Sequence, residues 1–273
     1  MKNVEWRMKN RHPACSSFFI LHSTFFISVS VQPGMRSRPG SARREIAGIT
    51  SDVGLCMRPL PAAALIALAL PLPAAPPSLV VDRARGEVRV RAIVQPGAMG
   101  RMFGVQGHHA VVWSEGKSAR MALFRSLASD HEVRVALDSL GAKRGENLSV
   151  ETWTERANPK NPEPDKRVEG TTVEVLVAWG GRAPVPLSSL IRQKGSASPE
   201  LDFRYGGHES LQATFHPGCI VCLYSCPGGA VSNHSRTIRD YERDGVIYVA
   251  KPELLPPDGS EVTIILRPKL EAR

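Results

Sequence analysis

No stretch of this 273-residue chain reaches the roughly 18 consecutive apolar residues that a spanning helix requires, which removes a helical membrane bundle from consideration. Aromatic residues are scarce, at 6%. Several catalytic signatures are missing as well. There is no G-x-S-x-G elbow for an acyl-transfer serine, no phosphate-cradling glycine loop and no H-E-x-x-H zinc helix. No repeat of 20–50 residues marks a solenoid or propeller. A basic face is also missing from most of the chain. The formal charge of +9 sits mainly in residues 1–74, and the remainder is close to neutral. A nucleic-acid-binding domain, which needs clustered Lys and Arg, is therefore not expected.

What remains is globular composition, 42% hydrophobic and 22% charged. Residues 1–56 have no sustained helical or strand period and read as a non-domain leader, upstream sequence translated ahead of a true start at Met57. Residues 57–74 place Arg58 before an apolar run and end in Leu72, Pro73 and Ala74. A positive head, an apolar centre and small residues at a cut site make a secretory signal. Residues 75–273 are then expected as a single exported domain of the periplasm or cell envelope. Its partner there is unidentified, and no transmembrane span is expected in the mature part.

The pattern within 75–273 predicts an α+β fold, mainly antiparallel β-sheet with one clear helix at about 129–140. Ser129 and Glu132 form a capping box. Val133, Ala136, Leu137 and Leu140 share one helical face, and Gly141 supplies the left-handed stop. Strands are predicted at 87–94, 110–113, 148–154, 171–179, 188–192, 201–205, 219–224, 246–250 and 262–267. The segment 155–170, rich in proline and charge, reads as an exposed loop. The polar stretch 232–241 reads as a solvated one.

Three cysteines fall within eight residues: Cys219, Cys222 and Cys226, followed by Pro227. The spacing C-x2-C-x3-C-P matches the last three cysteines of the bacterial ferredoxin run, with His216 where the first would stand. Soft thiolates with one imidazole suit an iron–sulfur cluster or zinc, and His216 is the expected fourth ligand. Strand geometry opposes this set. On a regular strand Cys222 and Cys226 share a face while Cys219 points to the other, so a common site requires the chain to turn between Cys219 and Cys222. Two further readings stay open. The cysteines could supply a disulfide and a buried thiol in a non-enzymatic interaction domain. They could also form a thiol oxidoreductase, which requires a depressed thiolate pKa at Cys219 or Cys222. His208 and His234 are spare candidate ligands. The adjacent His108 and His109 would point to opposite faces of a strand and read as a surface or edge pair. Turnover of a substrate is not expected, and no catalytic residue is assigned.

From about Ala110 to Arg267 the chain resembles the YdjY-like domain family of bacterial envelope proteins. The resemblance rests on LDSLGA at 137–142, GTTVEV at 170–175 and LPPDGSEVTIILR at 255–267, and the segment 218–228 resembles one branch of the family. Some members are labelled ferredoxin-like. That implies an iron–sulfur role for Cys219, Cys222 and Cys226, with His216 standing in place of a fourth cysteine.

Overall fold

Charged and apolar residues alternate after Gly86, and this alternation builds the centre of the fold. In the computed structural model, described for residues 75–270 apart from 100, 103–104, 195–198 and 244–245, the first strand is β1 (Leu79–Asp82). It turns back through Gly86, whose φ of +63° suits only glycine comfortably, into β2 (Glu87–Val94). Val88, Val90, Ala92 and Val94 of β2 are fully buried. The leader and the signal segment, 1–56 and 57–74, lie outside the described residues.

The chain continues through β3 (His109–Trp113), β4 (Ala122–Ser126) and helix α1 (Asp130–Ser139). Helix α2 (Val150–Thr154), β5 (Val173–Ala178), β6 (Val185–Pro186) and α3 (Leu187–Leu190) follow. Then come β7 (Phe203–Tyr205), α4 (Ser210–Phe215), β8 (Cys219–Cys222), β9 (Val231–Asn233), α5 (Ile238–Glu242) and β10 (Glu261–Pro268). Ten strands form one sheet in the order β7-β9-β8-β3-β4-β2-β10-β5-β6, with β1 also paired to β2. A separate two-stranded sheet joins Ile191–Gln193 to Tyr248–Ala250. Among the described residues no helix is long and apolar enough to cross a membrane.

The sheet is mixed rather than mainly antiparallel. The β3–β4 and β8–β9 pairs run parallel. Hydrophobic alternation reports which face a residue occupies and carries nothing about strand direction. The two connections that permit parallel pairing, 114–121 and 223–230, are shorter than the dozen or more residues usual for a crossover.

Helix α1 carries its capping box in full. The Ser129 hydroxyl accepts from the Glu132 amide at 3.1 Å, and the Glu132 carboxylate accepts from the Ser129 amide at 2.7 Å. Val133 and Leu137 are fully buried. Gly141 follows with φ +87°. The four other α-helices among the described residues span four to six residues each.

Two expected strands are partly helical. At 148–154 the β-branched residues suggested a strand, but α2 forms there, with the Ser149 amide donating to Thr152 Oγ1 at 3.1 Å. At 188–192 the chain makes α3 after Pro186 and becomes extended only at Ile191. Tertiary contacts override weak local propensity in such short pieces. The stretch 232–241 is not a solvated loop. Its first two residues end β9, Thr237 caps α5, and Arg239 is 3% exposed. The Arg239 guanidinium donates to the carbonyls of Arg156 (2.7 Å), Asn158 (2.8 Å) and Asn161 (2.5 Å). One side chain thereby fixes the loop after α2 against α5.

Candidate metal centre

Strand β8 is buried along its whole length and pairs with β3 on one side and β9 on the other. Its pairing with β3 is irregular. Cys219 lies opposite Val112, Val221 opposite Val111 and Cys222 opposite His109, with register shifts on both sides of Val221. Bulges of this kind re-aim side chains. The Cys219 and Cys222 sulfurs thus reach a common group without the turn that a regular strand would have required. Bends at residues 223–224 then bring Cys226 back alongside Cys222.

All three thiols are free and buried. Two histidines complete the cluster, but neither is His216. His109 opens β3 and His108 immediately precedes it, and both are buried, at 5% and 4% exposure. Their rings stack at 3.8 Å between centroids with a 39° tilt. Because His108 stands just outside the strand, the pair escapes strict alternation, and both rings turn toward the cysteines. His109 Nδ1 lies 3.3 Å from Cys219 Sγ. The donor atoms of His109, Cys219 and Cys222 all lie within 4.8 Å of one another, and those of His108, Cys222 and Cys226 do likewise.

The expected histidine ligands lie elsewhere. His216 is exposed at the left-handed C-cap of α4, with φ +51°, and belongs to neither group. His208 is buried, and its Nε2 accepts from the Leu148 amide at 3.0 Å. His234 Nδ1 contacts the Val168 carbonyl at 2.7 Å. The sequence signal for the two histidines beside the cysteines was a His-His pair placed directly before the apolar run at 110–112, a position that enters the core rather than the surface.

The electrostatics favour the protonated form of the three thiols and the uncharged form of His109. Burial, reinforced by the hydrogen bond to Cys219, pushes the Cys222 thiol well above the ordinary cysteine value. The hydrogen bond with Cys222, together with burial, raises Cys226 in the same way. At Cys219 the largest influence, the hydrogen bond from Cys222, acts downward, but burial together with the neighbouring Cys226 and Asp130 outweighs it and the result is a rise. These rises run opposite to the depressed thiolate pKa that a redox dithiol requires. Burial, and next the neighbouring His108, holds His109 well below the usual histidine range, as neutral imidazole. His108 Nδ1 is buried without a hydrogen-bond partner. Buried polar atoms are rarely left in that state.

The supports around the cluster are specific. Gln212 of α4 donates to the Cys219 carbonyl at 3.1 Å and to the Gly228 carbonyl, and accepts from the Gly218 amide at 3.0 Å. One buried amide thus holds both ends of the cysteine segment. Ser232 donates to the Cys226 carbonyl at 3.0 Å. At Gly218, φ is +70° and an added Cβ would sit 2.7 Å from Gly116 Cα. The segment before β8 therefore packs backbone-to-backbone on the 114–121 crossover. Beside the cluster lies a cavity of about 210 Å³. Residues of both crossovers, Trp153 and Tyr241 line it, and His108, His109, Cys219 and Cys226 open onto it. The His108 ring meets Tyr241 edge-on at 4.7 Å and lies 5.5 Å from Trp153.

The YdjY domain profile matches residues 79–267. The uncharacterized protein YdjY of Escherichia coli strain K12 is 28% identical over 170 residues, spanning 62% of this chain and 70% of the relative. No solved structure matches. The chain belongs to the YdjY domain family.

Proposed function

We propose that this YdjY-domain chain is an exported metal-binding protein whose Cys219, Cys222 and Cys226 ligate soft metal together with His108 and His109. Its task is electron transfer or structural stabilisation rather than substrate turnover. One observation carries the reading: two imidazoles and three thiols, from segments far apart in sequence, converge at one buried place. Thiolate and imidazole donors favour zinc, copper or iron over magnesium and calcium.

The donor set suits ions ligated directly rather than a ferredoxin-type cubane. That cluster is held by four thiolates, whereas this segment supplies three and the remaining donors are imidazoles. Two ligands on one zinc, at about 2.3 Å for each sulfur, lie at most about 4.6 Å apart, a span close to that of the donors here. The unpartnered His108 nitrogen and the neutral His109 ring are both suited to ligation. Metal binding would displace the thiol protons, as it does whenever protonated cysteines become ligands.

Elemental analysis of the full chain purified anaerobically tests the reading. At least one equivalent of zinc, copper or iron is expected, and Cys222→Ser should carry less than about a hundredth of it, a loss larger than the roughly 10–100-fold fall caused by removing supporting groups alone. Folded protein that is free of all three metals and takes up none would end the proposal. Cell fractionation tests export separately.

A further inference from the structure

We propose that the cluster is a two-ion centre in which the Cys222 sulfur bridges two cuprous ions, one held with His109 and Cys219 and the other with His108 and Cys226. The inference rests on the metal reading above and adds stoichiometry, ion class and the role of Cys222.

Three observations lead to it. First, the five donors divide into two groups of three, and Cys222 alone belongs to both. Among the described residues no four of these donors meet the same mutual distance. Structural zinc takes four ligands in a tetrahedron, and this arrangement offers three at each of two positions. Soft thiolate donors with so low a coordination number suit Cu(I).

Second, Cys222 lies at the back. Cys219, Cys226, His108 and His109 all open onto the 210 Å³ cavity, while Cys222 does not. Ions entering from the cavity would each meet one histidine and one outer cysteine, with the shared sulfur behind both. Third, the three sulfurs lie in a row. The Cys222 sulfur is within 4.8 Å of the Cys219 sulfur on one side and of the Cys226 sulfur on the other.

The charge balance is moderate. Three thiols release three protons to solvent as two Cu(I) ions bind, no electron changes hands, and the neutral imidazoles add nothing. The loaded centre carries one net negative charge, whereas two divalent ions would leave one positive. Lys117, exposed and part of the cavity lining, places a cation near that negative charge.

Anaerobic titration of the full chain with cuprous ion, in competition with a chromophoric Cu(I) chelator, tests the proposal. Two equivalents per chain are expected, with a metal–metal vector in X-ray absorption. His108→Ala and His109→Ala should each retain one. Cys222→Ser should weaken both positions more than about 100-fold, beyond what loss of a supporting group causes. A single equivalent in the wild-type protein, or two retained in Cys222→Ser, overturns the bridge while the broader metal reading stands. Absence of copper, zinc and iron from folded wild-type protein overturns both. The wild-type stoichiometry decides the matter even if a buried substitution prevents folding.

Discussion

Gln212 shows how one residue can define a site without entering it. Its amide fills three backbone positions around Cys219 and Gly228. Gln212→Leu would take that partner from the buried Gly228 carbonyl and Gly218 amide, while the Cys219 carbonyl keeps the Ala230 amide, at about 1–3 kcal/mol for each group that water cannot reach. Chemical unfolding should show that loss, together with weaker metal retention by the folded variant. His208 makes a second prediction, in pH. Burial pushes it down to about 4, against about 6.5 in an unfolded chain. As pH falls below 6.5 the unfolded chain takes up the proton first, so native stability declines, and the decline levels off below about 4. The gap is worth roughly 3 kcal/mol. His208→Gln keeps an acceptor for the Leu148 amide and cannot titrate, so its unfolding free energy should fall less between pH 7 and 4. Parallel pH profiles for the two proteins would refute this assignment. The sequence showed the three cysteines plainly. It did not show their partners, because a histidine pair looks the same at an edge and at the head of a buried strand.

At the scale of elements, strong local signals were legible and weak ones were not. The capping box and four-residue apolar face of α1 agreed with each other and with Gly141, so the helix was visible. Removing the cap by Ser129→Ala should cost about 1 kcal/mol, read as a lower urea midpoint at unchanged slope. Strands β2 and β10 were legible from alternation. The register shifts in β8 were not, since a bulge is set by the partner strand and the sequence offers only Ile220 and Val221, ordinary strand formers. Those shifts decide whether Cys219 joins Cys222. Gly218→Ala tests the packing that delivers β8. It combines an unfavourable φ with a backbone clash at Gly116, and should destabilise by more than the roughly 1 kcal/mol typical of a glycine forced to carry a side chain. A stability unchanged within error would mean that the two backbones have room to separate.

Over the whole molecule, the candidate centre draws on both flanks of the β3–β8 pairing. His109 and Cys219 are 110 residues apart in the chain, and most of the helices and several strands lie between them. A cation gripping both would act as a clasp on that length of polypeptide, much as a disulfide does. For a closed ring of about a hundred residues, the lost freedom of the unfolded chain is worth on the order of 5 kcal/mol. Calorimetry of loaded and stripped protein should therefore show a higher melting temperature and slower opening for the loaded form, beyond the effect of cutting the cap on α1. A stripped chain has to find the β3–β8 register unaided, and the ion can then fasten only the correct one.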